Sequence, residues 1–518
     1  MAVPMAIKPE EDIFRGCLKN RPLSNWGQTF ASLAPHDSEL ESHNEQVEAM
    51  KVKVKNMLIQ SAENLTDNIQ FINLLCRLGV SYHFEDVINE HLNSIFTMLP
   101  KLLEHNDYDL CTLANLFRVL RQYGYKMTCD VFKKFKDEDG EFRKDIANDV
   151  KSILCLYEAC FLAIPGEDIL DGALAFTRKR LEILAESSSP HLQKHISNSL
   201  MYPSHHIIER LDTFNYICFY EEDEYADEIL LKFAKLDYNG LQLLYRKELA
   251  LLSKWWKDLN VVENLPYARD RLVEAYMWAL GFVFEPQCSI SRMLICKFTT
   301  NAGDELSEYM KFLYRLVFEL IENDGPQGCS YKITYVREMV KELLLGYNVE
   351  AIWLREKKAP SFDQYVKNGK VTSVYDCLIS VFILGVENIG MKEILWIRND
   401  PEIVVGAKLH PRLLNDICAV RTDETNRGDF PKGVDCYTIQ HDVSENEAIE
   451  AIQKMLQNKW KGMNEDLLKP NTLPRILLKC TLNYARLGIF FYQDNDYFTY
   501  GQNMKQHIRS LLINPFPM

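Results

Sequence analysis

Helical periodicity runs through nearly every long segment of this chain, and no other feature narrows its possible folds so far. Between Tyr335 and Trp353, apolar side chains recur at Val336, Met339, Val340, Leu343, Leu344, Tyr347, Ala351 and Ile352, a stripe wide enough to require burial. Alternation of Val, Ile and Thr at period two, which a half-buried strand needs, is rare throughout. The punctuation agrees with the period. Ser444-Glu445-Asn446-Glu447 has capping-box spacing ahead of an apolar run, and Pro470 and Pro474 stop the helix that contains Trp460. An all-α protein is expected.

A chain of 518 residues should form two or more domains and bury a large core. The acidic run Glu221-Glu222-Asp223-Glu224 reads as a solvated loop and sets the expected boundary. Residues 1–20 would be a flexible leader, 21–222 a first helical domain and 223–518 a second. Apolar residues at 47% and charged residues at 25% describe an ordinary globular protein, and a formal charge of -14 argues against nucleic acid as a partner. A small anionic ligand stays compatible with that charge if metal ions and a few arginines gather at one site. The 14 cysteines form no C-x-x-C pair and no zinc-spaced cluster, as expected of reduced thiols. No apolar run approaches the ~20 residues of a membrane span, so no stable membrane insertion is expected. Glu10, Glu11 and Asp12 are acids that a transit peptide avoids, which points to the cytoplasm.

Candidate chemistry collects on one late helix, from Arg412 to Glu424. At about 100° per residue, Asn415, Thr422 and Asp423 fall on one face. An amide oxygen, a hydroxyl and a carboxylate suit a hard divalent cation, Mg2+ with Mn2+ as the alternative, that shares its remaining positions with water and phosphate. Arg412, one turn before Asn415, carries a guanidinium fork for the same phosphates. Asp416 and Glu424 are further candidate ligands, although in a regular helix Glu424 points about 180° away from Asn415 and only a local bulge brings it round. A solvated acidic helix end is the competing reading.

Asn415-Asp416-Ile417 resembles the start of the second metal motif of class I terpene synthases. In that motif a hydroxyl follows four positions on and an acid eight positions on; here these are Ala419 and Asp423, whereas counting back from Arg427-Gly428 selects Glu424. Leu78 to Phe84, Cys129 to Asp137 and Leu156 to Ala159 resemble landmarks of the amino-terminal α-barrel of plant terpene synthases, with His83 read as a satisfied, partly buried side chain. Phe233 to Asn239, Trp255 to Leu259, Leu265 to Arg271 and Gly281 to Gln287 are very similar to the plant sesquiterpene synthase pattern, and Ser510 to Ile513 extends the likeness to essentially the full length.

The resemblance implies an α-barrel-like amino-terminal domain followed by a class I terpenoid synthase bundle, acting as a monomer. It implies metal-triggered loss of diphosphate from a prenyl diphosphate, with farnesyl diphosphate the first choice and geranyl diphosphate the alternative. Arg269 and Arg271 would lie on a loop that closes over the diphosphate with Arg412; Trp278 would floor the cavity, and Tyr375, Tyr492 and Asp496 would occupy further cavity positions. Thr372-Ser373-Val374 matches a helix break whose carbonyls face the cation, and Phe498 stands where many relatives have Tyr. No Asp-x-Asp-Asp occurs, so the amino-terminal domain is expected to be a scaffold. One family element is missing. Relatives carry an aspartate-rich Asp-Asp-x-x-Asp before a Leu-Pro-x-Tyr-Met segment, but here Lys297-Phe298 runs through Thr299 to Asp304 directly into Leu306-Ser307-Glu308-Tyr309-Met310. That absence motivates a reading of another class, a catalytically impaired protein that keeps the fold.

Overall fold

The computed structural model describes residues 26–27, 29–259, 270–301, 330–421 and 431–518. The expected leader lies outside them. Described regular structure is helical, and the one β feature among these residues is an isolated bridge between Lys136 and Phe142. The first half comprises α1 (Thr29–Ser32), α2 (Asp37–Ser61), α3 (Leu65–Arg77), α4 (Glu85–His105), α5 (Leu110–Gln122), α6 (Val150–Cys160), α7 (Asp168–Ser187), α8 (Pro190–Met201) and α9 (Glu209–Glu221). The second half runs through α10 (Glu228–Asp258), α11 (Leu272–Phe282), α12 (Ser289–Asn301), α13 (Ser330–Glu356), α14 (Phe362–Thr372) and α15 (Tyr375–Leu384). It continues with α16 (Met391–Arg398), α17 (Glu402–Arg421), α18 (Gly433–His441), α19 (Glu445–Asp466), α20 (Arg475–Tyr492) and α21 (Lys505–Leu512).

Local chemistry explains where these helices start. Asn64, Asp109, Asp149, Ser189 and Asp227 each accept backbone N–H groups of the first turn, and Ser444 with Glu447 completes the capping box expected before α19. The stripe on α13 is buried at Val336, Met339, Val340 and Leu343, which face the core, while Ala351 near its end is exposed.

The acidic run ends α9 and forms the turn into α10, with Glu222 and Glu224 exposed. Packing nevertheless continues across that turn. One apolar cluster extends from Trp26 to Phe516, and α10 is its spine, touching α1, α2 and α9 from the first half and α11, α12 and α21 from the second. His83 and Tyr82 meet the buried Asp237 of α10 at 2.8 and 2.5 Å, which satisfies His83 as expected. At the other end of the chain, Asn239 exchanges two hydrogen bonds with the backbone of Phe516.

In the second half, α17 lies centrally against α14, α19 and α20. Its contact with α20 is close because Gly488 faces Pro411: a Cβ at Gly488 would come 2.6 Å from the Pro411 Cα and N, atoms of a backbone that cannot step aside. Gly488→Ala is therefore expected to destabilise the fold by about 1–3 kcal/mol. Gly172→Ala, at an exposed position of α7 with nothing within 4 Å, should instead stabilise it by about 0.5–1 kcal/mol. Urea unfolding of the two variants in parallel checks the opposite signs.

Candidate active site

The second half encloses a cavity of about 190 Å³ whose wall comes from several helices and the turn after α20. Trp278 of α11, Thr299 of α12, Pro411, Arg412 and Asn415 of α17, and Tyr484 and Tyr492 of α20 contribute to it, with Phe498 from the following turn. Trp278 is the aromatic centre. Its ring lies 5.6 Å from Tyr484, 4.7 Å from Phe491, 6.3 Å from Tyr492 and 6.4 Å from Phe498, and its Nε1–H is buried without a partner among the described residues.

Between α14 and α15 the chain breaks its helix, and Thr372, Ser373 and Val374 line the cavity at that break, as expected. Val374 has φ +67°, a left-handed conformation that costs a β-branched residue about 1–3 kcal/mol. The Ser373 carbonyl accepts a hydrogen bond from the Tyr484 hydroxyl. Tyr375 was expected on the wall but stands behind it. Fully buried, it bonds Thr481 Oγ1 at 2.9 Å and packs its ring 5.3 Å from Tyr484. Tyr484 is the residue that sequence reasoning missed, and the signal was present: Tyr484, Phe491 and Tyr492 are spaced seven and eight apart and share a helical face.

Arg412 is held by a chain of bonds through four helices. Its Nε donates to Tyr365 Oη at 2.9 Å, and its Nη2 lies 3.1 Å from Glu350 Oε1, which also accepts from Thr372 Oγ1 at 2.7 Å. The Tyr365 hydroxyl donates onward to Asp416 Oδ2 at 2.6 Å, and the Gly433 N–H reaches the same oxygen at 3.2 Å. Burial opposes the charge of Arg412, but Tyr365, Glu350 and Asp416 outweigh it and hold the guanidinium pKa above its usual value. Asp416 is thereby corrected from metal ligand to structural acid. It is buried in this network, about 100° around the helix from Asn415, and does not line the cavity.

At the mouth, Arg271 donates from Nη2 to the Thr499 carbonyl at 3.0 Å and is buried. Asp496, also expected on the wall, holds the same turn, its Oδ1 accepting from the Thr499 N–H at 2.8 Å, and is not among the lining residues. Arg269, Thr422, Asp423 and Glu424 lie outside the described residues.

The comparisons with known proteins cover both halves of the chain. The family model "Terpene synthase, N-terminal domain" matches residues 25–200, and "Terpene synthase family, metal binding domain" matches 257–302 and 299–462. Terpene synthase 5 of Ricinus communis is 50% identical over 545 positions, which span 99% of this chain and 98% of that protein. The chain belongs to the terpene synthase family. Members of this family are lyases acting on prenyl diphosphates.

This terpene synthase is also similar to the chloroplastic casbene synthase of Ricinus communis, at 39% identity over 95% of this chain and 88% of that one. The valerianol synthase TPS1B of Camellia hiemalis is 37% identical over 96% of each. Among solved structures, a limonene synthase with 2-fluorolinalyl diphosphate superposes with a TM-score of 0.87, at 25% identity over 96% and 99% of the two chains. Isoprene synthase from grey poplar leaves (Populus x canescens), with three Mg2+ ions and dimethylallyl-S-thiolodiphosphate, gives 0.82 at 26% identity over 92% and 99%.

The metal-binding-domain match is in two pieces that overlap at 299–302, and the sequence carries no Asp-Asp-x-x-Asp there. The alignment with the first relative is longer than this chain, so that relative carries residues missing here. Among the described residues no three His, Cys, Asp or Glu side chains gather as a metal site. Of the lining residues, Asn415 offers a side-chain amide oxygen, a donor of the kind a hard divalent cation takes, and Arg412 lines the same cavity.

Two expectations follow. Tyr365→Phe removes the hydroxyl between Arg412 and Asp416 and should destabilise the protein by about 1–3 kcal/mol in urea unfolding. Glu274, one turn before Trp278, is fully buried with both carboxylate oxygens unpartnered among the described residues, and burial pushes its pKa up from 4.5 to about 7. Between those values the unfolded chain has lost the proton and the native one keeps it, so stability falls as pH rises through this window. Glu274→Gln should flatten that fall, by an amount on the order of 3 kcal/mol, when thermal unfolding is followed from pH 4.5 to 7.5.

Proposed function

We propose that the chain is a class I sesquiterpene synthase, which ionises farnesyl diphosphate, cyclises the allylic cation to a C15 terpene and releases diphosphate. The observation that carries this reading is the cavity itself, in which Trp278, Tyr484, Tyr492 and Phe498 face a space that Arg412 and Asn415 border. In the proposed reaction the diphosphate lies against Arg412, whose fork forms charge-assisted hydrogen bonds to the phosphoryl oxygens as the allylic C–O bond breaks. When bound at Asn415, with Thr422 and Asp423 or Glu424 as further donors, Mg2+ would neutralise charge on the leaving diphosphate. The aromatic walls keep water from the cation and turn their faces toward it, an interaction worth about 2 kcal/mol or more when desolvated.

Other residues act on the geometry of this space. Tyr375 positions Tyr484 through ring packing, while Arg271 and Asp496 hold the turn that carries Phe498. Arg269 joins Arg271 over the diphosphate in the same reading. The C15 choice is supported by the likeness to the valerianol synthase. The likeness to the limonene synthase structure supports geranyl diphosphate as the variant substrate. A reading of another class, an impaired protein that keeps the fold, is favoured by the break in the metal-domain match at 299–302.

Incubation of the purified chain with Mg2+ and C10, C15 or C20 prenyl diphosphates, read by gas chromatography, tests the proposal. A C15 product that requires the metal, and that falls at least tenfold in Arg412→Gln, is expected. No terpene from folded protein overturns it and supports the impaired reading, for which calorimetry with a non-hydrolysable analogue should show weak binding that is indifferent to Mg2+.

A further inference from the structure

A second cavity, of about 280 Å³, opens between the two halves of the chain, and its charge runs opposite to that of the protein. Whereas the chain as a whole has 73 acids against 59 bases, this cavity is lined by six basic side chains, Arg77, Arg118, Lys469, Arg475, Lys479 and Arg486. Only three carboxylates, Glu85, Glu209 and Asp212, line it with them. The first two are engaged, Glu85 with Arg475 at 3.4 Å and Glu209 with Lys479 at 2.8 Å.

Of the remaining buried cations, Arg118 is the under-compensated one. Arg77 is met by two acids, Glu158 and Asp212, each at 3.6 Å, which hold its pKa up against burial, although its Nε has no partner among the described residues. Arg118 is 5% exposed, its Nε is also unpartnered, and its one side-chain bond among the described residues goes to the Asn73 amide. Burial raises the pKa of Glu158, while Arg77 and Arg118 draw it down. Lys469 is exposed at the rim with its Nζ 3.7 Å from the Tyr125 ring centre, and its N–H donates to the Gly124 carbonyl at 2.6 Å. That backbone bond fixes the rim of the second half against the first.

A buried guanidinium without an acid, as at Arg118, is unfavourable unless something supplies the missing charge. Arginine forks match phosphoryl oxygens in geometry as well as charge, and a volume just under the ~300 Å³ where ligand pockets begin restricts the occupant to a small one. We propose that this cleft between the halves is a second, metal-independent binding site for a small multivalent oxyanion of the phosphate class, inorganic phosphate or diphosphate. It stands apart from the aromatic cavity and does not rest on the catalytic reading.

The test is isothermal titration of the full-length chain with inorganic diphosphate, and separately with inorganic phosphate, at low ionic strength with EDTA present. Saturable binding of one anion per chain is expected, with whichever anion binds tighter named as the occupant. Affinity should fall at least tenfold in Lys469→Glu, an exposed side chain, with native circular dichroism confirmed. Arg118→Gln, checked for native circular dichroism, should lose it as well. Arg412→Gln, in the aromatic cavity, should leave this binding unchanged. Absence of saturable binding overturns the proposal, as does binding that survives Lys469→Glu or that disappears in Arg412→Gln.

Discussion

Arg292 is fully buried in the core, and the arrangement around the aromatic cavity depends on how it is satisfied. A guanidinium out of water is tolerable only when its donors are used and its charge is met. Here Nε and Nη2 form a fork on Glu248 at 2.8 and 2.6 Å, and Nη1 reaches the carbonyls of Val283 and Glu285 at 3.1 Å. Tyr276 donates to the same Glu248 oxygen that Nε reaches, and the Tyr245 ring lies 5.0 Å from the guanidinium carbon. The pair thus joins α10, α11 and α12. Tyr276 and Trp278 are two residues apart on α11, so fixing the first toward Glu248 turns the second toward the opposite side, where the cavity lies.

The opposite wall is built on strain rather than on a regular helix. Val374 keeps its left-handed backbone because its surroundings over-determine the break. Lys408 of α17 bonds Asp376 at 2.9 Å just after the break and Asp400 at 2.6 Å, and Asp400 in turn takes Lys370 at 3.0 Å just before it. Burial pushes Asp376 above its usual pKa although Lys408 draws it down, so this ion pair is partly desolvated. A continuous helix through 372–374 would satisfy its own carbonyls internally. The break instead brings backbone to the cavity edge, where Tyr484 both accepts the geometry and supplies a ring.

These two walls differ in how far the amino-acid pattern announces them. The all-helical class, the capping box at Ser444 and the satisfied state of His83 follow from periodicity and local hydrogen-bonding chemistry, which act over a few residues and are therefore readable along the chain. The placing of Trp278, Arg412, Asn415 and Tyr492 around one cavity was also legible, because each sits at a spacing or in a motif that sets it apart from its neighbours. Tyr375 and Asp416 were not. Both belong to helices that bury nearly all their faces, and on such a helix the sequence does not say which of two adjacent polar residues meets the cavity. The direction was decided by partners from distant segments, Thr481 for Tyr375 and Tyr365 with Gly433 for Asp416, and no local rule encodes those meetings.

Gly433 makes the point quantitatively, since a Cβ there would come 2.7 Å from the Asp416 carboxylate. The same logic extends to α20, which serves both cavities at once. Arg475, Leu478, Lys479, Leu482 and Arg486 recur at three- and four-residue steps and face the cleft between the halves, whereas Tyr484 and Tyr492 face the aromatic cavity. Cations on one side and rings on the other are an amphipathic pattern of an uncommon kind, because neither face is simply solvent or core. A rigid helix with these two faces cannot shift toward an anion in the cleft without moving the tyrosines, and Gly488, pressed on Pro411, leaves it little room to do so. The helix therefore holds the shape of the aromatic cavity through contacts made on its far side.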